Sequence, residues 1–176
     1  MSIEGLRRSD PDTAVTGGEF RLDPQRSTLG FRARGANLFW VRGQFTTAEG
    51  RLTLRAGTLT AAGSVQTASV RTGGRLRDWH LRTRDYLSAR RHPTIELVTK
   101  PTEIAGDVVE AKLTVCGNTV DVPLTLQSVA AAEREVHLTA EGSFDRSPLG
   151  MRPPLLGVGR TIHLELDVVA VRDGHV

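Results

Sequence analysis

The chain is poor in cysteine, with Cys116 as the only one among 176 residues. A single cysteine cannot form an intrachain disulfide, so the fold does not depend on an oxidising compartment. Because no histidine or carboxylate pattern nearby marks an activated thiol, Cys116 is interpreted as a small buried hydrophobe. Cysteine clusters and closely spaced histidine pairs are lacking as well. The sequence therefore predicts neither a metal site nor a cofactor.

Long apolar runs and a strong charge imbalance are also missing. No run approaches the roughly 18 residues of a membrane-spanning helix, so no integral membrane segment is expected. The net charge of +3 is too small to indicate a nucleic-acid-binding protein. Residues 1–18 contain no apolar stretch of the kind found in secretory signals. We expect a flexible tail there, one domain over residues 19–176 and a cytoplasmic location.

Motifs of common enzyme classes, such as the G-x-S-x-G elbow and the P-loop, do not occur in the sequence. His80 and Asp78 are two residues apart on a predicted helix, so their side chains would point apart. We therefore predict that the protein is not an enzyme. The alternative is an enzyme acting on a small hydrophobic substrate, with His80 and either Asp78 or Asp85 as its acid–base pair.

Period-two alternation of apolar and polar residues is the dominant pattern that is present. Every second residue from Ile162 to Ala170 is apolar, whereas His163, Glu165 and Asp167 between them are polar. Successive side chains of a strand point to opposite faces, so this segment has one dry and one wet face. About eight such segments fit a sandwich or a closed barrel. Closure removes exposed edges and favours an all-β antiparallel barrel.

The strand pattern is interrupted by a predicted turn and by a predicted helix. Leu113 to Leu126 forms a predicted hairpin with its turn at Cys116-Gly117-Asn118. Between Gly74 and Ser88 the apolar spacing changes to three and four, which predicts a short helix. The residues expected on its buried face are Leu76, Trp79, His80, Thr83 and Leu87. We expect this helix to cap the mouth or the flank of the barrel.

Arginine is unevenly distributed and gathers around the predicted helix, where only Asp78 and Asp85 balance it. The cluster consists of Arg71, Arg75, Arg77, Arg82, Arg84, Arg90 and Arg91. Arginine binds phosphate groups through paired hydrogen bonds. The cluster is interpreted either as a basic rim that meets an anionic head group or a membrane surface, or as an ordinary solvated helix face.

The interior of an eight-stranded barrel has room for side chains or for one small ligand. Large and small residues share the predicted inward face, for example Phe31 beside Ala33 and Phe144 beside Gly142. Small residues either leave a cavity or accommodate large neighbours. Two hypotheses stay open at this point, a barrel with an internal ligand site and a packed, ligand-free barrel that acts in stress responses or protein interactions.

Six short motifs, taken in order, resemble those of the YceI-like, or polyisoprenoid-binding, family. The resemblance extends from Phe20 to about Val171. The motifs are Phe20-Arg21-Leu22-Asp23 with Ser27 and Phe31, Val41-Arg42-Gly43-Gln44-Phe45, Ser69-Val70-x-Thr72 followed by Arg77-Asp78-Trp79-His80-Leu81 and Asp85-Tyr86-Leu87, His92-Pro93-Thr94-Ile95-Glu96-Leu97, Leu113-Thr114-Val115-Cys116-Gly117, and Arg146-Ser147-Pro148-Leu149-Gly150-Met151. At Arg26, Leu87 and Pro148 this sequence has residues other than those usual in the family.

The resemblance implies a lipocalin-like antiparallel barrel of about eight strands with a helical cap. It also implies that the barrel binds a long isoprenoid or related lipid for transport, storage or sensing, often as a homodimer. The residues then expected to line the cavity are Phe31, Val41, Phe45, Ile95, Leu97, Leu113, Val115, Phe144, Leu164 and Leu166. The residues expected to form a lid are Trp79, Tyr86 and Met151. The arginines expected to meet the polar end of the lipid are Arg77, Arg82, Arg84 and Arg146.

Overall fold

The structure is a computed structural model that describes residues 17–35, 39–151 and 159–174. Most of these residues lie in strands. The strands are β1 (Gly18–Leu22), β2 (Thr28–Arg34), β3 (Trp40–Phe45), β4 (Ala48–Arg55), β5 (Thr58–Gln66), β6 (Val70–Arg71), β7 (Thr94–Thr99), β8 (Thr102–Glu103), β9 (Val108–Val115), β10 (Asn118–Ala131), β11 (Glu135–Asp145) and β12 (Thr161–Arg172). Helix α1 spans Arg75–Leu81, and two 3-10 turns span Thr67–Ser69 and Ser147–Leu149. β1 begins at Gly18, and residues 1–16 of the predicted tail lie outside the described residues.

Eight of the strands pair in a closed antiparallel ring. Their order is β1-β4-β5-β7-β9-β10-β11-β12, and the ring closes where Phe20–Leu22 of β1 pairs with Ala170–Arg172 of β12. Three ring strands are interrupted, so that each consists of two segments: β1 continues as β2, β3 continues as β4, and β5 continues as β6. The second set of segments pairs in the same order, β12 with β2, β2 with β3 and β3 with β6. The chain is thus an eight-stranded up-and-down barrel. The predicted all-β barrel with a short helical cap is confirmed.

The predicted hairpin is confirmed as β9 and β10. Val115 lies opposite Asn118 in the register, so the loop between the two strands consists of Cys116 and Gly117. The φ angles of these two residues are 53° and 76°. Two consecutive positive φ angles are typical of the type I′ turn, whose twist matches that of the strands it joins. Glycine adopts this conformation without strain, which explains its place in the turn.

The polar faces of β11 and β12 lie on the outside of the barrel, as the alternation predicts. His137 on β11 is exposed, and its Nε2 lies 2.7 Å from Oδ1 of Asp167 on β12. His163, which we expected to be exposed, is instead half-buried. Its ring packs against the indole of Trp40 at 5.4 Å between ring centres, because both side chains project from the outer face of neighbouring parts of the sheet.

The helix is shorter than predicted and buries a different face. It ends at Leu81, and turns follow it. Asp78 is its buried residue, since the carboxylate accepts hydrogen bonds from the backbone N–H of Thr72 (2.8 Å) and from the Thr72 hydroxyl (2.5 Å). These bonds orient the helix so that Leu76 and Trp79, both expected to be buried, are 70% and 58% exposed.

For two other residues of the predicted helix face, His80 and Leu87, the predicted burial is wrong in one case and confirmed in the other. His80 is exposed, so its expected place on a buried face is wrong. Leu87 is buried, as predicted, although it lies beyond the end of the helix. The chain folds back there, because the backbone N–H of Leu87 donates to the carbonyl oxygen of Leu81 at 3.0 Å.

Candidate ligand-binding cavity

Four connections between strands meet at one end of the barrel, which we call the cap end. Their described parts are the end of β2 and the start of β3, the segment 72–93 that contains α1, the Cys116–Gly117 turn and residues 146–151 after β11. The Cys116 thiol joins two of them, since it donates hydrogen bonds to the carbonyl oxygens of Tyr86 and Leu87 at 3.3 Å. Cys116 was predicted to be buried and is half-buried, and this partial burial raises the pKa of its thiol. It is therefore suited to the predicted apolar packing role and not to attack as a thiolate.

The opposite end of the barrel is closed by a tightly packed apolar cluster. Phe20, Leu54 and Val136 belong to it and are 0%, 1% and 0% exposed. A second apolar cluster fills the cap end and includes the fully buried Val70 and Leu149. The side chains of the two clusters do not meet everywhere, and they leave space between them.

A cavity of about 170 Å³ occupies this space in the middle of the barrel. Its surface is almost wholly apolar. An apolar cavity of roughly 150 Å³ in another protein stays dry and binds benzene. The interior is therefore open at its centre and has the chemistry of a site for an apolar ligand.

Several large side chains face the cavity without being fully buried. Phe31, Phe45 and Leu97 border it and are only partly buried, although the strand alternation places them inside the barrel. The rings of Phe31 and Phe45 form one wall, with their centres 5.7 Å apart. A side chain that faces empty space lacks dispersion contacts on that side. A bound apolar molecule would supply those contacts.

Small residues on β4 and β5 provide much of the room. Gly50 and Gly63 lie opposite each other in the register, and Ala61 lies opposite Leu52 on the same inward face. Gly50, Ala61 and Gly63 all border the cavity, so the wall there is mostly backbone. Gly43 leaves no such room, because the ring of Phe31 fills the space beside it. Both interpretations of small inward residues therefore apply, at different positions.

Seven of the ten residues predicted to line the cavity border it. They are Phe31, Phe45, Ile95, Leu97, Leu113, Leu164 and Leu166. The other three are absent from the lining within the described residues. Val115 and Phe144 pack in the cap-end cluster, and Val41 is half-buried on β3.

Sequence reasoning missed much of the lining. The missed apolar residues on the inward faces of strands are Leu22, Leu29, Leu52, Leu59, Ala61, Val65, Val109, Leu124, Leu126, Leu138, Ala140, Val168 and Ala170. Their signal was the same period-two alternation that identified the others, because each is on the inward face of its strand. Ala61 was the hardest to find, since it lies among small residues that give little apolar contrast.

The three residues predicted to form a lid lie at the cap end in different environments. Met151 packs against the apolar cluster there, and Tyr86 is half-buried in the segment after α1. Trp79 is 58% exposed. Among the residues that the structure describes, none of the three borders the cavity.

Three of the four arginines predicted to meet a polar head group hydrogen-bond to backbone at the cap end. Arg77 donates to the hydroxyl and carbonyl oxygens of Thr72, both at 2.7 Å. Arg82 and Arg146 donate to backbone carbonyl oxygens at 3.3 Å and 3.0 Å. Arg84 is exposed. Their contact with a head group stays a prediction.

Asp78 and His80, which we considered as an acid–base pair, lie in different environments. Hydrogen bonds from Thr72 lower the pKa of Asp78 and hold its carboxylate against the end of β6. His80 is exposed, with its ring 5.0 Å from that of Trp79.

Over residues 17–35, 39–151 and 159–174, no group of three or more potential metal ligands is found. In the same ranges, none of the helices has the length and apolar character needed to cross a bilayer.

A closed eight-stranded antiparallel barrel with an apolar interior defines the class of small barrels that can enclose one ligand. Within this class, the chain belongs to the YceI-like domain family, whose model matches residues 20–170. The resemblance of the six sequence motifs is thereby confirmed.

Solved structures from several organisms share the fold. BcnA from Burkholderia cenocepacia has a TM-score of 0.72 at 18% identity, and the match covers 84% of this chain and 98% of BcnA. A polyisoprenoid-binding domain from Saccharophagus degradans, implicated in plant cell wall breakdown, has a TM-score of 0.69 at 17% identity, with 88% and 98% covered. The YceI protein of Campylobacter jejuni has a TM-score of 0.64 at 20% identity, with 76% and 86% covered. At these identities the similarity establishes the fold alone. No protein of curated function matches the chain.

Proposed function

We propose that the barrel binds a long-chain apolar ligand, an isoprenoid or a related lipid, for transport, storage or sensing. The apolar cavity of about 170 Å³ at the centre of the barrel is the observation that carries this proposal. Each buried CH₂ group contributes on the order of 0.8 kcal/mol, so a long chain needs few polar contacts. The polyisoprenoid-binding domain from Saccharophagus degradans, which has the same fold, supports this ligand class.

A long chain requires the cavity to extend, because its present volume suits a body of about the size of benzene. The partly buried rings of Phe31 and Phe45 are the side chains best placed to move. An extension towards the cap end would bring the ligand against Val115, Phe144 and Met151, which pack there. We therefore infer that the chain enters through the cap end.

The polar end of the ligand is proposed to stay near Arg77, Arg82, Arg84 and Arg146. Arg84 is the best residue for a test, because it is exposed and its loss leaves the backbone hydrogen bonds of the other three intact. The variant Arg84→Gln should weaken binding of a polyprenyl pyrophosphate more than binding of the matching alcohol. Equal losses for both would refute the head-group role. The homodimer and the cytoplasmic location stay predictions.

The direct test is extraction of the purified protein with organic solvent, followed by mass spectrometry. A polyprenyl species in a near-stoichiometric amount is the expected result. An empty extract, repeated after incubation with cellular lipids, would contradict the proposal and favour a ligand-free barrel. A lipid recovered in chemically altered form would favour the enzyme alternative.

A pair of matched variants tests whether the cavity is the site. Ala61→Phe places a ring into the cavity and should abolish most of the lipid binding. Val98 lies on β7 beside Ala62 and is 50% exposed on the outer face, so Val98→Phe adds the same ring outside. The control should retain the lipid, and the melting temperature of each variant should show that it is folded. Similar lipid loss in both variants would place the ligand elsewhere.

A further inference from the structure

Four large apolar side chains are exposed towards the cap end. Phe39, Trp40, Leu76 and Trp79 are 60%, 44%, 70% and 58% exposed. They include both tryptophans of the chain. Exposed apolar side chains that occur singly need no explanation, but several at one end of a molecule mark an interaction surface.

The strand register places the start of β3 and helix α1 towards the same end of the barrel. Gln44 of β3 pairs with Arg71 of β6 in antiparallel orientation. The start of β3 at Trp40 and the end of β6, after which α1 begins at Arg75, therefore lie towards the same end of the barrel.

Helix α1 is held in a fixed orientation that exposes its apolar residues. Leu76 and Trp79 are three residues apart and thus lie on one face of the helix. Asp78 and Arg77 bind Thr72 and attach the helix to the end of β6. The exposed face is therefore built into the cap and needs no rearrangement to be displayed.

Positive charge is concentrated in the same region. Residues 71–91 contain seven arginines and two aspartates, a formal charge of +5, although the whole chain carries only +3. The remainder of the chain is therefore slightly negative. Arg84, Arg90 and Arg91 are exposed, and no ion pair to them occurs in the part of the chain that the structure describes. The segment that carries the exposed Leu76 and Trp79 is thus strongly cationic.

We propose that the cap end docks on an anionic lipid bilayer. Tryptophan is favoured at the boundary between head groups and acyl chains, because one part of its ring system is apolar and the indole N–H is polar. Arginines around inserted apolar side chains bind lipid phosphates, and the two effects together give stable attachment to a bilayer surface. The charge concentrated around the apolar residues matches an anionic bilayer. This inference does not require the cavity to be occupied.

The test uses the full chain, freed of lipid, with vesicles of phosphatidylcholine alone or mixed with phosphatidylglycerol. Flotation should recover the protein only with the mixed vesicles, and recovery should fall as salt is added. The variant Trp40→Phe leaves Trp79 as the only tryptophan. Its emission should shift to shorter wavelength on the mixed vesicles, because the indole leaves water.

Two pairs of variants separate docking from general effects. Leu76→Ser with Trp79→Ser should weaken vesicle binding by about tenfold or more, whereas Val98→Ser with Val108→Ser, which changes exposed valines on the side wall, should not. Replacement of Arg84, Arg90 and Arg91 by Gln should weaken binding about fivefold per residue. The same change at Arg21, Arg51 and Arg55 alters the net charge equally on β1 and β4, away from the cap, and should have little effect.

Three results would overturn the proposal. The first is that the mixed vesicles do not bind the protein at all. The second is that the side-wall or β1–β4 variants lose as much binding as the cap variants. The third is that light scattering finds a dimer which the Leu76 and Trp79 changes dissociate while vesicle binding is unaffected, since a second copy of the chain would then cover the surface. Lipid extraction from the cavity reports on the proposed ligand independently of all three.

Discussion

The ring of Phe31 on β2 lies over Gly43, the residue directly opposite on β3. A Cβ atom at position 43 would be 2.4 Å from Cζ of Phe31 and 3.0 Å from Cγ2 of Thr72. The same ring lies beside Phe45 and borders the cavity. Glycine at position 43 therefore determines where one wall of the cavity lies.

Gly43→Ala should destabilise the protein, because the added methyl group overlaps the Phe31 ring. The expected loss is about 1–3 kcal/mol in the free energy of unfolding, the usual cost of overpacking, measured by urea denaturation. Phe31→Leu in the same chain removes the clashing ring atoms. The double variant should then lose less than the sum of the two single variants, and strict additivity would contradict the proposed contact.

Phe20 and Phe39 provide a matched pair of phenylalanines at opposite ends of the barrel. Phe20 is 0% exposed in the closed end, whereas Phe39 is 60% exposed at the cap end. Phe20→Ala should cost about 3–5 kcal/mol, since it leaves a void in a packed cluster. Phe39→Ala should stay within about 0.5 kcal/mol of the parent. Equal melting temperatures for the two variants would show that the closed end does not stabilise the fold.

The barrel could be predicted because its signal is local. Alternation over β11 and β12 fixes which residues face inwards, and a glycine in the Cys116–Gly117 turn marks the hairpin. The contribution of β4 and β5 was harder to foresee. Gly50 and Gly63 face each other across these strands, and their effect depends on the distance to the far wall, which no local pattern contains.

The orientation of the helix could not be predicted, because a tertiary contact overrides its spacing. Leu76 and Trp79 recur at helical intervals and predict a buried stripe. The bonds between Asp78 and Thr72 turn that stripe outwards, and they join residues whose proximity depends on how the chain leaves β6. A surface that binds a partner has the same apolar pattern as a buried one, so spacing alone does not distinguish them.

The Cys116 thiol should react slowly with a disulfide reagent in the folded protein. Burial raises its pKa above the usual value, so less thiolate is present at mildly alkaline pH, and only the thiolate attacks. Unfolding in urea should restore the ordinary rate. The rate in the folded protein should rise only at a pH above the range of an exposed cysteine. Equal rates in the two states would contradict the packing role.

Asp78 should make the attachment of the cap depend on pH. The hydroxyl and backbone N–H of Thr72 lower the pKa of its carboxyl group in the folded state. A lowered pKa means that the stabilisation is present above the pKa of the unfolded chain, about 3.9, and is lost as the pH falls through the folded-state value. Asp78→Asn should therefore speed hydrogen exchange in residues 75–88 at neutral pH.

The difference between the parent and Asp78→Asn should begin to shrink below about pH 4, because the carboxylate of the unfolded parent takes up a proton there before the folded one does, and it should vanish once the folded carboxylate is also protonated. Thr72→Val is the companion variant, because it removes the hydroxyl donor and leaves the carboxylate in place. It should raise the pKa of Asp78, measured by the chemical shift of its carboxyl carbon, towards the ordinary value. If the exchange difference instead persists unchanged at a pH where the chemical shift of the parent carboxyl carbon shows that Asp78 is protonated, the neutral amide disturbs packing and the charge of Asp78 does not hold the cap.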